Sequence, residues 1–280
     1  LSTQTMALVF TDLDGSLLDH DDYSFDAALP VLAKLERAGI PVIAVTSKTR
    51  VEIERIRAEL DNRHPFVVEN GAAIYIPRGY FAEQPDGTRE RDDYWVMEFS
   101  PDRQKWLDIL QSLEAGFSGE FEYFHRARVA GIVEMTGLGT AEAALANQRE
   151  FSEPVKWLGS DERKAEFVGS LLSLGAHPLQ GGRFLTLAGD CDKGRALARL
   201  REIYAAQSGN VVIRDIAIGD SRNDIAMLEA AETALVIKSP VHDYPPLKRE
   251  NGVIYSEGFG PVGWAEGVGQ WLGESTSVAI

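Results

Sequence analysis

Two short strings, far apart in the chain, carry the residues best suited to chemistry. Thr11-Asp12-Leu13-Asp14-Gly15-Ser16 puts two carboxylates directly after the apolar run Ala7–Phe10. Gly219-Asp220-Ser221-Arg222-Asn223-Asp224 follows a second such run, Asp215–Ile218. Open α/β sheets bind ligands just beyond the carboxyl ends of their strands, so all four aspartates are expected at one sheet edge. Carboxylates gathered there repel one another unless a cation sits among them. Hard oxygen donors with no Cys or His alongside suit Mg²⁺, which keeps waters and accepts phosphate oxygens. Each string alone also reads as local structure, since Asp-Gly is turn text and Asp220 or Ser221 can cap a helix. Capping gives no reason for the two to converge.

Two further strings supply positive charge and hydrogen-bond donors. Thr46-Ser47-Lys48-Thr49-Arg50 ends an apolar run and starts a helical one, where hydroxyls and free N–H groups make an anion site or a plain N-cap. Asp192-Lys193-Gly194 opens another helix. A lysine in a first turn opposes the helix dipole, and an anionic partner would offset that cost.

The elements that must position these residues alternate as in a parallel α/β sheet. Strands are expected at Ala7–Phe10, Pro41–Val45, Phe66–Glu69, Asp215–Ile218, Ala234–Ile237 and Gly252–Tyr255. Helices are expected at Asp26–Ala38, Val51–Leu60, Gly194–Ala206, Asn223–Ala231 and Val262–Leu272. Asn70-Gly71 predicts a type I′ turn into a strand at Ala73–Ile76. The pattern changes near residue 83, where a polar stretch precedes an alternating segment, Tyr94–Phe99. Helices at Pro101–Leu113, Thr140–Arg149 and Asp161–Leu174 then intermix with strands at Gly131–Met135, Val155–Leu158 and Arg183–Leu187. This implies an α+β unit with an antiparallel sheet, inserted between a core in two parts. The expected boundaries are 1–82, 83–188 and 189–280, with hinges near Ala82–Asp86 and Leu187–Asp190.

In chain order — DxDGS, the Ser/Thr strand end, DKG, then GDSxxD — the four strings resemble the haloacid-dehalogenase-like phosphohydrolases, across the whole chain. That resemblance implies a mainly parallel, Rossmann-like α/β core with an inserted cap of the C2B type. Asp12 is then the nucleophile that forms an aspartyl-phosphate, and Asp14 the general acid and base. Mg²⁺ is held by Asp12, the carbonyl of Asp14 and Asp220, with Asp224 bonding or supporting it. Ser47 and Lys193 hold phosphoryl oxygens. The strings TSKTR, ENGAAIYIP, REFSEP (Arg149–Pro154), GGRF (Gly181–Phe184) and GDSRNDIAML resemble the mannosyl-3-phosphoglycerate phosphatase branch. A substrate with a sugar, a carboxylate and a phosphate follows. Arg183, flanked by Gly182, leads as the carboxylate's two-pronged partner. Arg149, Glu150, Ser152 and Glu153 are further candidates in the cap, and Lys48, Arg50, Asn70 and Asn223 on the core side. Glucosyl-3-phosphoglycerate, sucrose-phosphate and other sugar phosphatases, a phosphomannomutase-like phosphotransferase and a non-catalytic sensor are the alternatives. Ser16 stands where the family more often has threonine and keeps the hydroxyl.

Composition sets the outer limits. The 280 residues carry 28 basic and 43 acidic side chains, a net charge of −15 that disfavours nucleic acid and anionic membranes as partners. An anionic substrate then needs a local cationic cluster to enter. One cysteine, Cys191, forbids an internal disulfide or a Cys-based metal cluster and fits a reducing, cytoplasmic setting. No apolar stretch nears the ~20 residues of a membrane span. The first residues lack the basic and apolar segments of a secretory signal. A monomer or homodimer is expected. Gly258–Gly263 imitates a dinucleotide loop, yet no βαβ unit can follow it, and Pro261 explains it as a helix start.

Overall fold

The computed structural model describes residues 5–181 and 183–277. From β1 (Thr5–Thr11) the chain passes through α1 (Leu29–Arg37), β2 (Val42–Val45), α2 (Arg50–Glu59) and β3 (Phe66–Val68). Three more strands follow, β4 (Ala73–Pro77), β5 (Arg89–Arg91) and β6 (Tyr94–Glu98). Next come α3 (Arg103–Leu113), β7 (Phe121–Tyr123), α4 (Phe124–Thr136), α5 (Thr140–Ala146) and β8 (Glu153–Trp157). After them stand α6 (Asp161–Ser173), β9 (Leu179–Gln180) and β10 (Leu185–Leu187). The chain then returns through α7 (Lys193–Gln207), β11 (Val212–Gly219), α8 (Ile225–Ala230), β12 (Thr233–Lys238), β13 (Val253–Phe259) and α9 (Gly260–Ser277).

Nine strands form one sheet in the order β13-β12-β11-β1-β2-β3-β4-β6-β5. Pairing is parallel from β13 to β3 and antiparallel beyond it. Because side chains alternate along a strand, β1 feeds two cores. Val9 packs with Ile53, Trp264 and Val268 on one face, and Leu8 and Phe10 with Leu197, Leu200 and Leu228 on the other. Helices thus cover both faces, as a buried parallel sheet requires. Among the described residues, no helix is long and apolar enough to cross a membrane.

A second sheet, β7-β8-β10-β9, is antiparallel and buries Phe121, Val155, Leu185 and Leu187 against Trp106 and Leu110 of α3 and Phe167 and Leu171 of α6. The first boundary expected from sequence is corrected here. Tyr94–Glu98 pairs with β4 in the large sheet, so the smaller unit begins after Phe99 and not at residue 83. An alternating segment fits an antiparallel margin of either sheet, and local pattern cannot choose between them. The crossings lie side by side: the Ser100 hydroxyl accepts the Gly189 N–H at 2.9 Å and donates to the Phe151 carbonyl at 3.0 Å. The first crossing between the units is therefore at Ser100, opposite Gly189, and not at Ala82–Asp86.

Two local expectations also change. Gly131–Met135 is the second half of α4, with Ile132 and Met135 buried three residues apart, although its β-branched residues suggest a strand. The turn between β3 and β4 spans four residues, with Glu69, Asn70 and Gly71 all at positive φ, instead of the two of a type I′ turn. Gly71 is required there, because a Cβ would lie 2.2 Å from the carbonyl oxygen of Asp192.

Candidate active site

Strand register brings the distant aspartates together. Thr11 lies opposite Ile218 in the β1–β11 ladder, and the Asp12 N–H extends it to the Ile218 carbonyl at 2.8 Å. Asp12 and Asp220 therefore leave the sheet as neighbours. Gly15 turns the chain at φ 77°, and a Cβ on it would stand 2.8 Å from Asp220 Oδ2, so the close approach depends on glycine. Beyond Asp220, Ser221 and Asp224 form a reciprocal capping box around the turn Arg222–Asp224. Asp224 Oδ2 accepts the N–H groups of Asp220 and Ser221, each at 3.0 Å. Capping and site-building are thus one arrangement. Asp192 caps α7 by accepting the Arg195 N–H at 2.8 Å, with Lys193 in the first turn.

Lys193 is fully buried, and its Nζ donates to Asp12 Oδ1 at 2.7 Å and Asp224 Oδ1 at 2.6 Å. Asp12, Asp220 and Asp224 each bring an oxygen within 4.8 Å of the others. One buried ammonium thus faces three largely buried carboxylates, with the His242 ring 3.4 Å from Asp220 at the solvent side. Burial, followed by repulsion from Asp224, holds the Asp12 carboxyl well above its ordinary range. The same two causes push Asp220 up to about 7. Burial would depress the Lys193 ammonium, but Asp12 and Asp224 together outweigh it and raise it. Oxygen-only donors, excess negative charge and a glycine-shaped approach fit a hard dication.

A pH dependence follows. In the ion-free chain the folded pKa of Asp220, about 7, exceeds its ordinary 3.8. The stability this group contributes is complete below the lower value and is lost as pH rises through the upper one. A dication competes with that proton, so it binds better as pH rises. The gain in Tm on adding Mg²⁺ is expected to be larger at about pH 8 than at about pH 6. An equal gain at both would contradict the cluster's role.

Asp14 stands apart from the three. Its Oδ2 pairs with Lys48 Nζ at 2.8 Å, and its Oδ1 is buried with no hydrogen-bond partner among the described residues. A cavity of about 320 Å³ opens between the two units. Ser47, Asn70, Ser221 and Asn223 line its core side, and Phe124, Arg149, Pro154, Gly181, Phe184 and Thr186 its cap side. Asn223 donates to Asn70 at 3.0 Å across its floor. Thr49 is the N-cap of α2 in a capping box with Glu52, which leaves Ser47 as that string's contribution to the cavity lining.

Several expected substrate contacts are committed elsewhere. Arg183 Nη2 donates to the Thr136 carbonyl at 2.9 Å, and its side chain does not line the cavity. Gly182 lies outside the described residues. Arg50 pairs with Glu150 at 2.8 Å, and Glu150 also takes Arg91 and the Tyr75 hydroxyl, so both belong to the joint between the units. Glu153 is fully buried inside the cap, accepting the His125 N–H at 2.7 Å and pairing with Arg103. The Ser152 hydroxyl is bound to Glu69 at 2.7 Å. Of the REFSEP charges only Arg149 reaches the cavity. Glu69, which opens the string ENGAAIYIP but has no role assigned from sequence, is fully buried at the edge of the site. Its one sequence signal is a glutamate at a strand end just before Asn-Gly.

Comparison with known proteins places this arrangement. Residues 9–91 and 181–240 match the haloacid dehalogenase-like hydrolase family. A glucosyl-3-phosphoglycerate/mannosyl-3-phosphoglycerate phosphatase of Methanococcoides burtonii is 36% identical over 97% of this chain and 99% of its own. A mannosyl-3-phosphoglycerate phosphatase of Pyrococcus furiosus is 31% identical over 84% of this chain and 93% of its own. Among solved structures, the sucrose-phosphatase of Synechocystis, in complex with sucrose and phosphate, superposes with a TM-score of 0.60 at 14% identity. It covers 95% of this chain and 98% of that one, which is a likeness of fold. With the family matched on both sides of the inserted unit and full-length relatives above 30% identity, the chain belongs to the haloacid dehalogenase-like hydrolases.

Proposed function

We propose that the chain is a Mg²⁺-dependent phosphomonoesterase that releases phosphate from glycosyl-3-phosphoglycerates, mannosyl-3-phosphoglycerate first among them. The observation that carries this reading is the buried Asp12–Lys193–Asp224 arrangement, with Asp220 beside it and an arginine-edged cavity nearby. The names of the two relatives support the substrate class. Asp12 Oδ attacks phosphorus while the bond to the glycerate C3 oxygen breaks, and Asp14 gives that oxygen a proton. Asp14 then takes a proton from water as its oxygen attacks phosphorus, which frees phosphate and restores Asp12. Asp14 must leave Lys48 to do this, and one of its oxygens is already without a partner.

Lys193 holds Asp12 in place and, with Ser47, binds phosphoryl oxygens. Asp12, Asp220 and the Asp14 carbonyl would hold Mg²⁺, which neutralises charge between carboxylate and phosphate. Asp224 serves by fixing Lys193 and the Asp220 backbone, since both its oxygens are occupied. Arg149 takes the place of Arg183 as partner of the glycerate carboxylate. The lone cysteine supports a reducing workplace such as the cytoplasm.

The test is phosphate release with Mg²⁺ from mannosyl- and glucosyl-3-phosphoglycerate, sucrose 6-phosphate, mannose 6-phosphate and 3-phosphoglycerate. The two glycosyl-3-phosphoglycerates are expected to lead in kcat/KM by at least about tenfold, over the sugar phosphates through the carboxylate contact and over 3-phosphoglycerate through hydrogen bonds to the sugar. Preference for sucrose 6-phosphate or a simple hexose phosphate would overturn the substrate assignment.

A further inference from the structure

The joint between core and cap holds a carboxylate that packing alone does not explain. Glu69 sits at the end of β3, fully buried, in a left-handed conformation at φ 49° that a non-glycine residue rarely adopts. Its oxygens accept the N–H groups of Glu150 at 3.0 Å, Phe151 at 3.2 Å and Ser152 at 3.2 Å, and the Ser152 hydroxyl at 2.7 Å. Arg149 Nε lies 3.3 Å from it. One core side chain thus gathers a whole turn of the cap.

Its backbone is tied to the segment that carries Ser47 on the same, core side of the cavity. The Glu69 N–H donates to the Lys48 carbonyl at 3.0 Å, and the Asn70 N–H to the Thr46 carbonyl at 2.9 Å. Arg149 Nη2 donates to the Ser47 carbonyl at 3.0 Å, while its Nε donates to the Ser152 hydroxyl at 3.0 Å. The Phe151 carbonyl, at the centre of the turn, accepts from Ser100 at the crossing and from the Trp106 indole at 2.8 Å. The turn is therefore held by the core and by the Ser100 crossing, and Arg149 is fixed beside Ser47 at the cavity edge.

Burying a charge and straining a backbone are costly ways to join two surfaces that apolar side chains could join. What this arrangement adds is a fixed direction for one guanidinium. We infer that Glu69 is a positioning residue, which acts through Arg149 to set the grip on the part of the substrate remote from phosphorus. The inference rests on the reading of Arg149 as a substrate contact. A contact made equally in ground and transition states shows in KM more than in kcat.

Glu69→Gln keeps shape and loses one acceptor, so an amide NH₂ must face an N–H donor. On mannosyl-3-phosphoglycerate it is expected to raise KM by at least about tenfold with kcat changed less than about threefold. Turnover of p-nitrophenyl phosphate, which lacks the remote groups, should stay within about twofold of the unmodified enzyme. Arg149→Ala should raise KM on mannosyl-3-phosphoglycerate at least as much, and the double variant should lose little more than Arg149→Ala alone. Ser152→Ala, a milder cut in the same network, guards against a Glu69 variant that does not fold and should raise KM severalfold. Equal losses on both esters, or additive losses in the double variant, would overturn the inference. If the natural enzyme prefers another ester of the panel, the substrate reading fails separately. The KM comparison then moves to that ester, and an unchanged KM there overturns Glu69's role.

Discussion

Asp12→Asn is expected to abolish phosphate release, by about 10⁴-fold or more, while the protein remains folded. The amide cannot form the aspartyl-phosphate, so no other residue recovers the lost step. Stability should behave differently. Asp12 is a buried carboxylate repelled by Asp224 and Asp220, and Lys193 keeps Asp224 as a partner when it is neutralised. The ion-free variant should therefore unfold at or above the Tm of the natural chain. Its gain from Mg²⁺ should shrink, since one of the three clustered carboxylates is gone. Phosphate release and thermal unfolding, each with and without Mg²⁺, check both halves. Activity within tenfold of the natural enzyme would remove Asp12 from the nucleophile's role.

Lys193→Met is expected to have the opposite balance. The ammonium is fully buried between Asp12 and Asp224, and removing it leaves two charges close together with no counter-ion. Breaking a buried pair from one side costs on the order of 3–5 kcal/mol. The ion-free variant should unfold well below the natural chain, and Mg²⁺ should restore part of the loss. The Mg²⁺-induced rise in Tm should exceed that of the natural chain, because the vacated site is more negative. Activity should fall even with saturating Mg²⁺, because a phosphoryl-binding cation has gone. Unchanged unfolding without Mg²⁺ would show that the carboxylates do not depend on this lysine.

The aspartate cluster of the core was legible because its signals are local in sequence. Asp12 and Asp220 each follow an apolar run, and the parallel register of β1 and β11 then brings them side by side. The cap was less legible, for a physical reason. Which residue an arginine or glutamate pairs with is decided by tertiary neighbours far away in the chain. Arg183 and Arg149 look alike as sequence, yet one turns to the Thr136 carbonyl and the other is drawn to the cavity by Glu69 and Ser47. Glu150 and Glu153 look like ligands for sugar hydroxyls and are instead bound by Arg50, Arg91 and Arg103. The boundary near residue 83 failed likewise, because β5 is short and polar and the alternating β6 fits the margin of either sheet.

The central claim is that Asp12 takes the phosphoryl group from a glycosyl-3-phosphoglycerate. Acid quenching during turnover of mannosyl-3-phosphoglycerate, followed by borohydride reduction and peptide mass spectrometry, tests it most directly. Reduction converts an aspartyl-phosphate to homoserine and leaves free carboxylates alone. The account predicts homoserine at position 12, dependent on substrate and Mg²⁺ and absent at Asp14, Asp220 and Asp224. Steady phosphate release with no residue reduced at position 12, or with the label on another side chain, would contradict it.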